Sequence, residues 1–195
     1  MTGLAELLGA AGQAWFWAGA AIFLRVGALV SMLPAFGERA VPVRIKIVIA
    51  LAFTAIVAPA VVLGDGAIWR APPTDFVSFA GVALAETLVG LALGIGIRLF
   101  IMAMQTAGSI AAQATSLSQI LGGAAVEPIP AMGHLLVMAA MALALMSGLH
   151  VGAARMLILS YDVFPPGQAL DGADLSQWGL KRVSEAFSLA FSLSA

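Results

Sequence analysis

Long stretches of this chain carry no charged residue, and this is the most informative pattern in the sequence. Uncharged runs extend over Leu7–Leu24, Ile47–Gly64, Leu99–Val126 and Pro128–Ala154. A helix needs about 20 mostly apolar residues to cross the hydrocarbon core of a bilayer. The runs reach that length or come close to it, so the pattern predicts helices embedded in a membrane.

Proline, glycine and short polar clusters divide the apolar sequence into six predicted helices. Their approximate bounds are 13–33, 42–58, 75–104, 107–121, 130–161 and 175–195, with a candidate interruption of the fifth at Ser147-Gly148. The segments are apolar on every face and lack the polar–apolar alternation of transmembrane strands. Because backbone groups in lipid must be satisfied internally, such segments form helices. We therefore expect an all-α, multi-helix integral membrane protein with broken helices, in one membrane-embedded domain spanning residues 1–195.

Composition supports this class and argues against several others. Hydrophobic residues make up 62% of the chain and charged residues 10%, whereas soluble domains have about 45–50% and about 25%. The net charge of −1 gives no basic surface for nucleic acid. The chain has no cysteine and no pattern of a catalytic triad, phosphate loop or metal site. We expect no enzymatic activity, no cofactor and no metal.

Three charged residues stand inside predicted apolar helices: Arg25, Glu86 and Arg98. A charge at the bilayer centre costs roughly 2.5–3.5 kcal/mol on insertion scales, so these side chains should face protein or water. Glu86 and Arg98 are separated by about 18 Å along a helix and by about 120° around it, so they cannot pair with each other. Each needs a partner on another helix or subunit. The alternatives are a role in assembly, through ion pairs or snorkelling, and a role in a transport path.

A polar stripe marks one face of the longest uncharged run. Thr106, Ser109, Gln113 and Ser116 lie within about 80° of one another on a helix. Lipid exposure would be unfavourable for four polar side chains, so the stripe should face a neighbouring helix or a wet channel. The sequence leaves both interpretations open.

Glycines also recur at four-residue spacing, as in Gly90 and Gly94, a pattern that lets membrane helices approach closely. In a chain with 21 glycines, chance explains such spacing equally well.

The order of these marked residues resembles the flagellar biosynthetic protein FliR family, which has relatives in injectisome type III secretion systems. The N-terminal match consists of Phe23-Leu-Arg-Val-Gly-Ala-Leu29, Pro34-Ala-Phe, and Val41-Pro-Val-Arg-Ile-Lys-Ile47 leading to Pro59. Further matches are Gly90–Gly94, Gly108 with Gln113, Glu127-Pro128, Ser147-Gly-Leu-His150, Ser160 and Pro165-Pro-Gly167. The individual family-pattern positions are Pro34, Pro42, Arg44, Gly108, Glu127, Pro128 and Ser160.

The chain also departs from the family pattern at three places. Gln113-Ala-Thr115 replaces a usual Gln-x-Gly, and Glu127 replaces an aspartate before the proline. Family members continue past Ala195 into further apolar sequence, so the resemblance implies a C-terminally shortened member.

The resemblance implies a non-enzymatic subunit of the flagellar type III export gate in the bacterial inner membrane, at the flagellar basal body. Its implied partners are membrane subunits of the FliP and FliQ families, export proteins of the FlhB and FlhA families, membrane lipids and unfolded flagellar substrates. The alternative function is a small-molecule secondary transporter, in which Arg25, Glu86 and Arg98 form a substrate or proton site at broken helices.

Overall fold

The computed structural model describes residues 2–38, 41–63, 76–121, 131–167 and 172–194, and all regular secondary structure within them is α-helical. The helices are α1 (Thr2–Met32), α2 (Val43–Val62), α3 (Phe76–Leu121), α4 (Ala131–Met146), α5 (Leu149–Val163) and α6 (Gly172–Ser194). The expectation of an all-α, multi-helix membrane protein is confirmed.

Three of the described helices contain segments that are long and apolar enough to cross a bilayer. These segments are Gly12–Met32, Val43–Val62 and Phe76–Ile110. Residues Val137–Met146 of α4 and Leu149–Val163 of α5 pass the same test only together, as one broken span. The described part of the chain therefore offers three or four membrane crossings.

Two helices are longer than their prolines and glycines predict. Helix α2 continues through Pro59, just beyond the predicted helix end at residue 58. Helix α3 continues through residues 104–107 and Gly108, where two separate helices, 75–104 and 107–121, are predicted. Proline and glycine weaken helices in water, but in lipid an interrupted backbone finds no water to replace the lost hydrogen bonds. Beyond Pro59 the helix is held by the Leu63 N–H, which donates to the Pro59 carbonyl over 3.0 Å.

Other boundaries also differ from the sequence-based ones. Helix α1 begins at Thr2 rather than at residue 13, because its first turns are rich in the strong helix formers leucine and alanine. The predicted helix 130–161 is divided into α4 and α5 at Ser147-Gly148. Gly148 has a φ of +83°, a left-handed conformation that ends a helix at little cost when the residue is glycine.

The helices form two compact units. The first unit comprises residues 1–95 and 150–171, and therefore contains α1, α2, the N-terminal part of α3, and α5. Its core is built on α1, where Ile22, Val26 and Leu29 are fully buried, together with Val57 of α2 and Leu157 of α5. The second unit comprises residues 96–149 and 172–195. The single domain over residues 1–195 stays a prediction, because a packing unit is not by itself an independently folding domain.

Within the first unit, α1 and the N-terminal part of α3 run in the same direction. The Trp17 ring lies 4.9 Å from the Phe79 ring, measured between centroids, near the start of the paired region. Further along, Gly94 of α3 faces Met32 of α1. Residue numbers therefore rise in the same direction along both helices. Residues that face each other on α1 and α3 differ in number by a nearly constant amount.

Within the second unit, α6 packs along the C-terminal part of α3. The Trp178 ring lies 3.2 Å from the position that a β-carbon on Gly96 would occupy. Beyond it the two helices border a shallow groove, lined by Leu99, Ala103 and Thr106 of α3 and by Val183, Ala186 and Phe187 of α6.

Candidate functional site

The most distinctive site in the described residues is an ion pair buried in the first unit. Arg25 of α1 and Glu86 of α3 are 1% and 0% exposed, respectively. The Arg25 Nε donates to Glu86 Oε2 over 2.8 Å, and Nη2 donates to Oε1 over 3.0 Å. The pair is therefore bidentate, the geometry in which a guanidinium and a carboxylate interact most strongly.

Helix α5 and the residues after it provide the other contacts of the Arg25 guanidinium. The Arg25 Nη1 donates to Ser160 Oγ over 2.9 Å, and Nη2 also donates to the Phe164 carbonyl over 3.0 Å. The ring of Tyr161 lies beneath the guanidinium, with its centroid 3.7 Å from Cζ, a distance typical of a strong cation–π contact. One arginine thus ties α1 to both α3 and α5.

The Glu86 carboxylate also accepts hydrogen bonds from neighbouring groups besides Arg25. The Tyr161 hydroxyl donates to Glu86 Oε2 over 3.1 Å, and the Gly167 N–H donates to Oε1 over 3.3 Å. Gly167 has a φ of +75°, which glycine adopts without strain and which positions this N–H in the turn after α5. We call Arg25, Glu86, Ser160 and Tyr161 the ion-pair cluster.

Two glycines on α3 explain why the two charges meet. A β-carbon on Gly90 would collide with the Arg25 carbonyl and lie 2.9 Å from the Ala28 β-carbon. A β-carbon on Gly94 would lie 2.6 Å from the Met32 β-carbon. The four-residue spacing therefore lets the two backbones approach closely. The close parallel approach places Arg25 and Glu86 at the same height.

The chemistry of the ion-pair cluster is that of a structural connection. Within the described residues, every buried side-chain nitrogen or oxygen has a hydrogen-bond partner. Since both charges are neutralised and their hydrogen-bonding groups are occupied, a ligand would have to displace existing bonds to bind there. Removing one partner of such a pair is strongly destabilising, because it leaves an uncompensated buried charge.

Arg98, the third charge inside an apolar helix, has a different environment. It is half-buried on the part of α3 that belongs to the second unit. Among the described residues, no hydrogen-bond or ion-pair partner of its guanidinium is found. The structure thus pairs Arg25 with Glu86 and gives Arg98 no partner among the described residues.

The predicted polar stripe is described only in part. The Thr106 hydroxyl donates to the Met102 carbonyl over 2.9 Å, and the Ser109 hydroxyl donates to the Thr106 carbonyl over 2.8 Å. Both hydroxyls are thereby satisfied within α3, which reduces the cost of placing them against lipid. The side chains of Gln113 and Ser116 lie outside the described residues.

Comparison with known proteins identifies the family. Residues 16–195 match the sequence profile of the bacterial export proteins, family 1. The chain belongs to this family.

Two curated relatives that match this chain carry the same name. The flagellar biosynthetic protein FliR of Caulobacter vibrioides is 32% identical over 178 residues, which cover 90% of this chain and 69% of that protein. The protein of the same name from Escherichia coli is 28% identical over 179 residues, covering 91% of this chain and 63% of that protein. The chain thus spans about two thirds of the length of these relatives.

The family-pattern positions occupy different kinds of place in the structure. Pro34 is buried, Pro42 immediately precedes α2, and Arg44 is exposed in its first turn. Gly108 is buried within α3, and Ser160 belongs to the ion-pair cluster, where its hydroxyl also donates to the Leu157 carbonyl over 2.6 Å. Glu127 and Pro128 lie outside the described residues.

Tyr161 is the functional residue that sequence reasoning missed. Its position at the end of an apolar helix suggests an ordinary helix boundary. It is the only tyrosine of the chain, and a buried tyrosine hydroxyl usually finds a hydrogen-bond partner. Because Tyr161 directly follows Ser160 in an apolar helix, this tendency of tyrosine could have indicated a polar contact inside the apolar core.

Proposed function

We propose that this protein is a subunit of the flagellar type III export gate and forms part of the channel that passes unfolded flagellar subunits across the inner membrane. The proposal places the chain at the flagellar basal body as a multi-pass membrane protein without a catalytic step. It rests chiefly on one observation, the family match over residues 16–195. The flagellar assignment follows the name shared by the relatives from Caulobacter vibrioides and Escherichia coli.

The ion-pair cluster supports a role in assembly over a role in small-molecule transport. A transporter that used Arg25 and Glu86 would need at least one of them free to exchange partners with a substrate or a proton. Instead, the two charges bind each other through two hydrogen bonds, and neighbouring groups occupy their other positions. The cluster therefore suits a fixed connection among α1, α3 and α5.

The proposed partners are other membrane subunits of the same apparatus. We assign the chain to a hetero-oligomeric helical assembly with subunits of the FliP and FliQ families, beside export proteins of the FlhB and FlhA families. The exposed apolar surface of α2, which includes Val43, Val48 and Ile56, is available for lipid or for such subunits. No nucleic acid is involved.

Co-purification from native membranes tests this function. The chain, carrying an affinity tag and expressed at its natural level, is solubilised in a mild detergent and its companions are identified by mass spectrometry. We expect a large hetero-oligomer containing FliP-family and FliQ-family subunits. A tagged multi-pass protein unrelated to export serves as the control. Recovery of the chain only as a monomer or homo-oligomer, under conditions that keep FliP-family and FliQ-family subunits together, contradicts the proposal.

A further inference from the structure

One face of α3 within the second unit combines polar and apolar side chains that the described helices leave wholly or partly exposed. Arg98, Met102, Gln105 and Ser109 lie within about 60° of one another around the helix. Gln105 and Ser109 are exposed, Met102 is 50% exposed and Arg98 is half-buried. We call these four residues the α3 outer face.

The length of α3 limits how much of this helix lipid alone can surround. The apolar segment Phe76–Ile110 has 35 residues and measures about 52 Å, whereas the hydrocarbon core is about 30 Å thick. A straight helix of this length would need a tilt of about 55° to stay within the core, and membrane helices tilt by about 0–40°. Part of the apolar segment therefore extends beyond the hydrocarbon core or is covered by protein.

The charge on the α3 outer face indicates what kind of protein surface would cover it. The guanidinium of Arg98 has five N–H donors, and none of the described residues accepts a hydrogen bond from it. A cation inside an apolar helix is most stable beside a carboxylate of another helix. Gln105 lies two turns further along and can both donate and accept hydrogen bonds.

The groove between α3 and α6 is not the surface in question. On the α3 side the groove is lined by Leu99, Met102, Ala103 and Thr106, and Ala103 is only 2% exposed. The α3 outer face lies beside this groove, and Met102 stands at their common edge. Arg98, Gln105 and Ser109 do not line the groove.

We propose that the α3 outer face is a docking surface for a membrane helix of a neighbouring export subunit, which places a carboxylate against Arg98 and a polar side chain against Gln105. This inference rests on the proposed function, because it takes the neighbouring subunit from the same apparatus. It goes further in naming the face of the chain and the chemistry of the partner.

Cysteine cross-linking tests the location of the interface directly, since the chain has no native cysteine. Gln105→Cys and Ser109→Cys are expressed in cells and treated with a short bifunctional thiol reagent, beside Ala103→Cys as the matched control on the buried side of the same helix. Partner subunits carry single cysteines in their membrane helices. We expect cross-links to a partner from positions 105 and 109, and at least tenfold fewer from position 103.

Substitution of the charge tests the chemistry of the interface. Arg98→Gln should lower the recovery of partner subunits with the tagged chain about tenfold, because it leaves the opposing carboxylate unpaired. Arg98→Lys, which keeps the charge, should restore part of that recovery. Lys181→Gln, which removes an exposed cation of α6 in the same unit, should leave it unchanged. The amount of chain in the membrane is measured in each case, so that a folding defect is recognised as such.

The outcomes separate this inference from the proposed function. If partners co-purify but positions 105 and 109 form no cross-link, or form one only to a second copy of this chain, the α3 outer face is not the docking surface and the proposed function still stands. Equal partner recovery with Arg98→Gln and Lys181→Gln likewise overturns the inference. If no export subunit co-purifies with the unaltered chain, the proposed function itself fails.

Discussion

The substitution Glu86→Ala perturbs the first unit at the position where most of its polar contacts converge. The Glu86 carboxylate accepts hydrogen bonds from Arg25, from the Tyr161 hydroxyl and from the Gly167 N–H. Alanine removes the acceptor for all of them. The guanidinium of Arg25, which is 1% exposed, then remains charged in the core with only Ser160 and the Phe164 carbonyl to accept its hydrogen bonds.

The expected destabilisation of Glu86→Ala follows from the burial of this pair. Removing one partner of a buried ion pair costs about 3–5 kcal/mol, which lowers the folding equilibrium constant by about 150-fold to 5,000-fold. The lower end is expected in a membrane, because helices of the unfolded state also find polar partners there. The double variant Arg25→Met with Glu86→Met removes both charges together. It should therefore be markedly less destabilised than the two single variants combined.

Unfolding of the purified chain by sodium dodecyl sulfate in mixed micelles, followed by tryptophan fluorescence, measures these free energies. Asp162→Ala is the control, since Asp162 is an exposed carboxylate on the same helix as Tyr161. The reasoning is refuted if Glu86→Ala and Asp162→Ala unfold at the same detergent fraction. It is also refuted if the effects of the two single methionine variants simply add in the double variant.

Three further predictions concern the backbone and the polar stripe. Gly90→Ala should destabilise the chain by about 1–3 kcal/mol in the same unfolding assay, because its methyl group would collide with the backbone of α1, whereas Gly81→Ala, which meets no atom within 4 Å, should have little effect. Gly148→Ala should lower the free energy of unfolding by about 1–2 kcal/mol because of the positive φ at this position, and Gly152→Ala should leave it unchanged. Equal free energies of unfolding for the two variants would mean that the helix break does not need glycine. Gln113→Leu should leave insertion into the membrane intact and reduce co-purification of partner subunits; unchanged recovery would place this side chain against lipid.

The membrane class and the approximate positions of the helices follow from the sequence because hydrophobicity acts locally along the chain. Whether a helix continues through a proline or a glycine cannot be predicted from local hydrophobicity in the same way. Pro59 and Gly108 are expected to interrupt helices, yet α2 and α3 pass through them. The competing principle is the high cost of unsatisfied backbone groups in lipid, which outweighs the local preference of either residue.

Only part of the ion-pair cluster can be predicted from the sequence. The cost of a charge in an apolar helix requires partners for Arg25 and Glu86. Their pairing across 61 positions, however, depends on the parallel packing of α1 and α3. The Pro166-Gly167 pair favours a turn with positive φ at the glycine, but the contact of the Gly167 N–H with Glu86 depends on where this turn lies relative to α3. Long-range geometry of this kind is set by the packing of several helices together.

Export in living cells tests the central claim most directly. In the bacterium that carries this gene, a clean deletion is compared with the same strain complemented by the unaltered chain, and hook and filament proteins secreted into the medium are quantified. The account predicts that deletion abolishes their export, that complementation restores it, and that general secretion of an unrelated periplasmic protein is unchanged. Normal export of hook and filament proteins by the deletion strain, with no second copy of the gene present, would contradict the account.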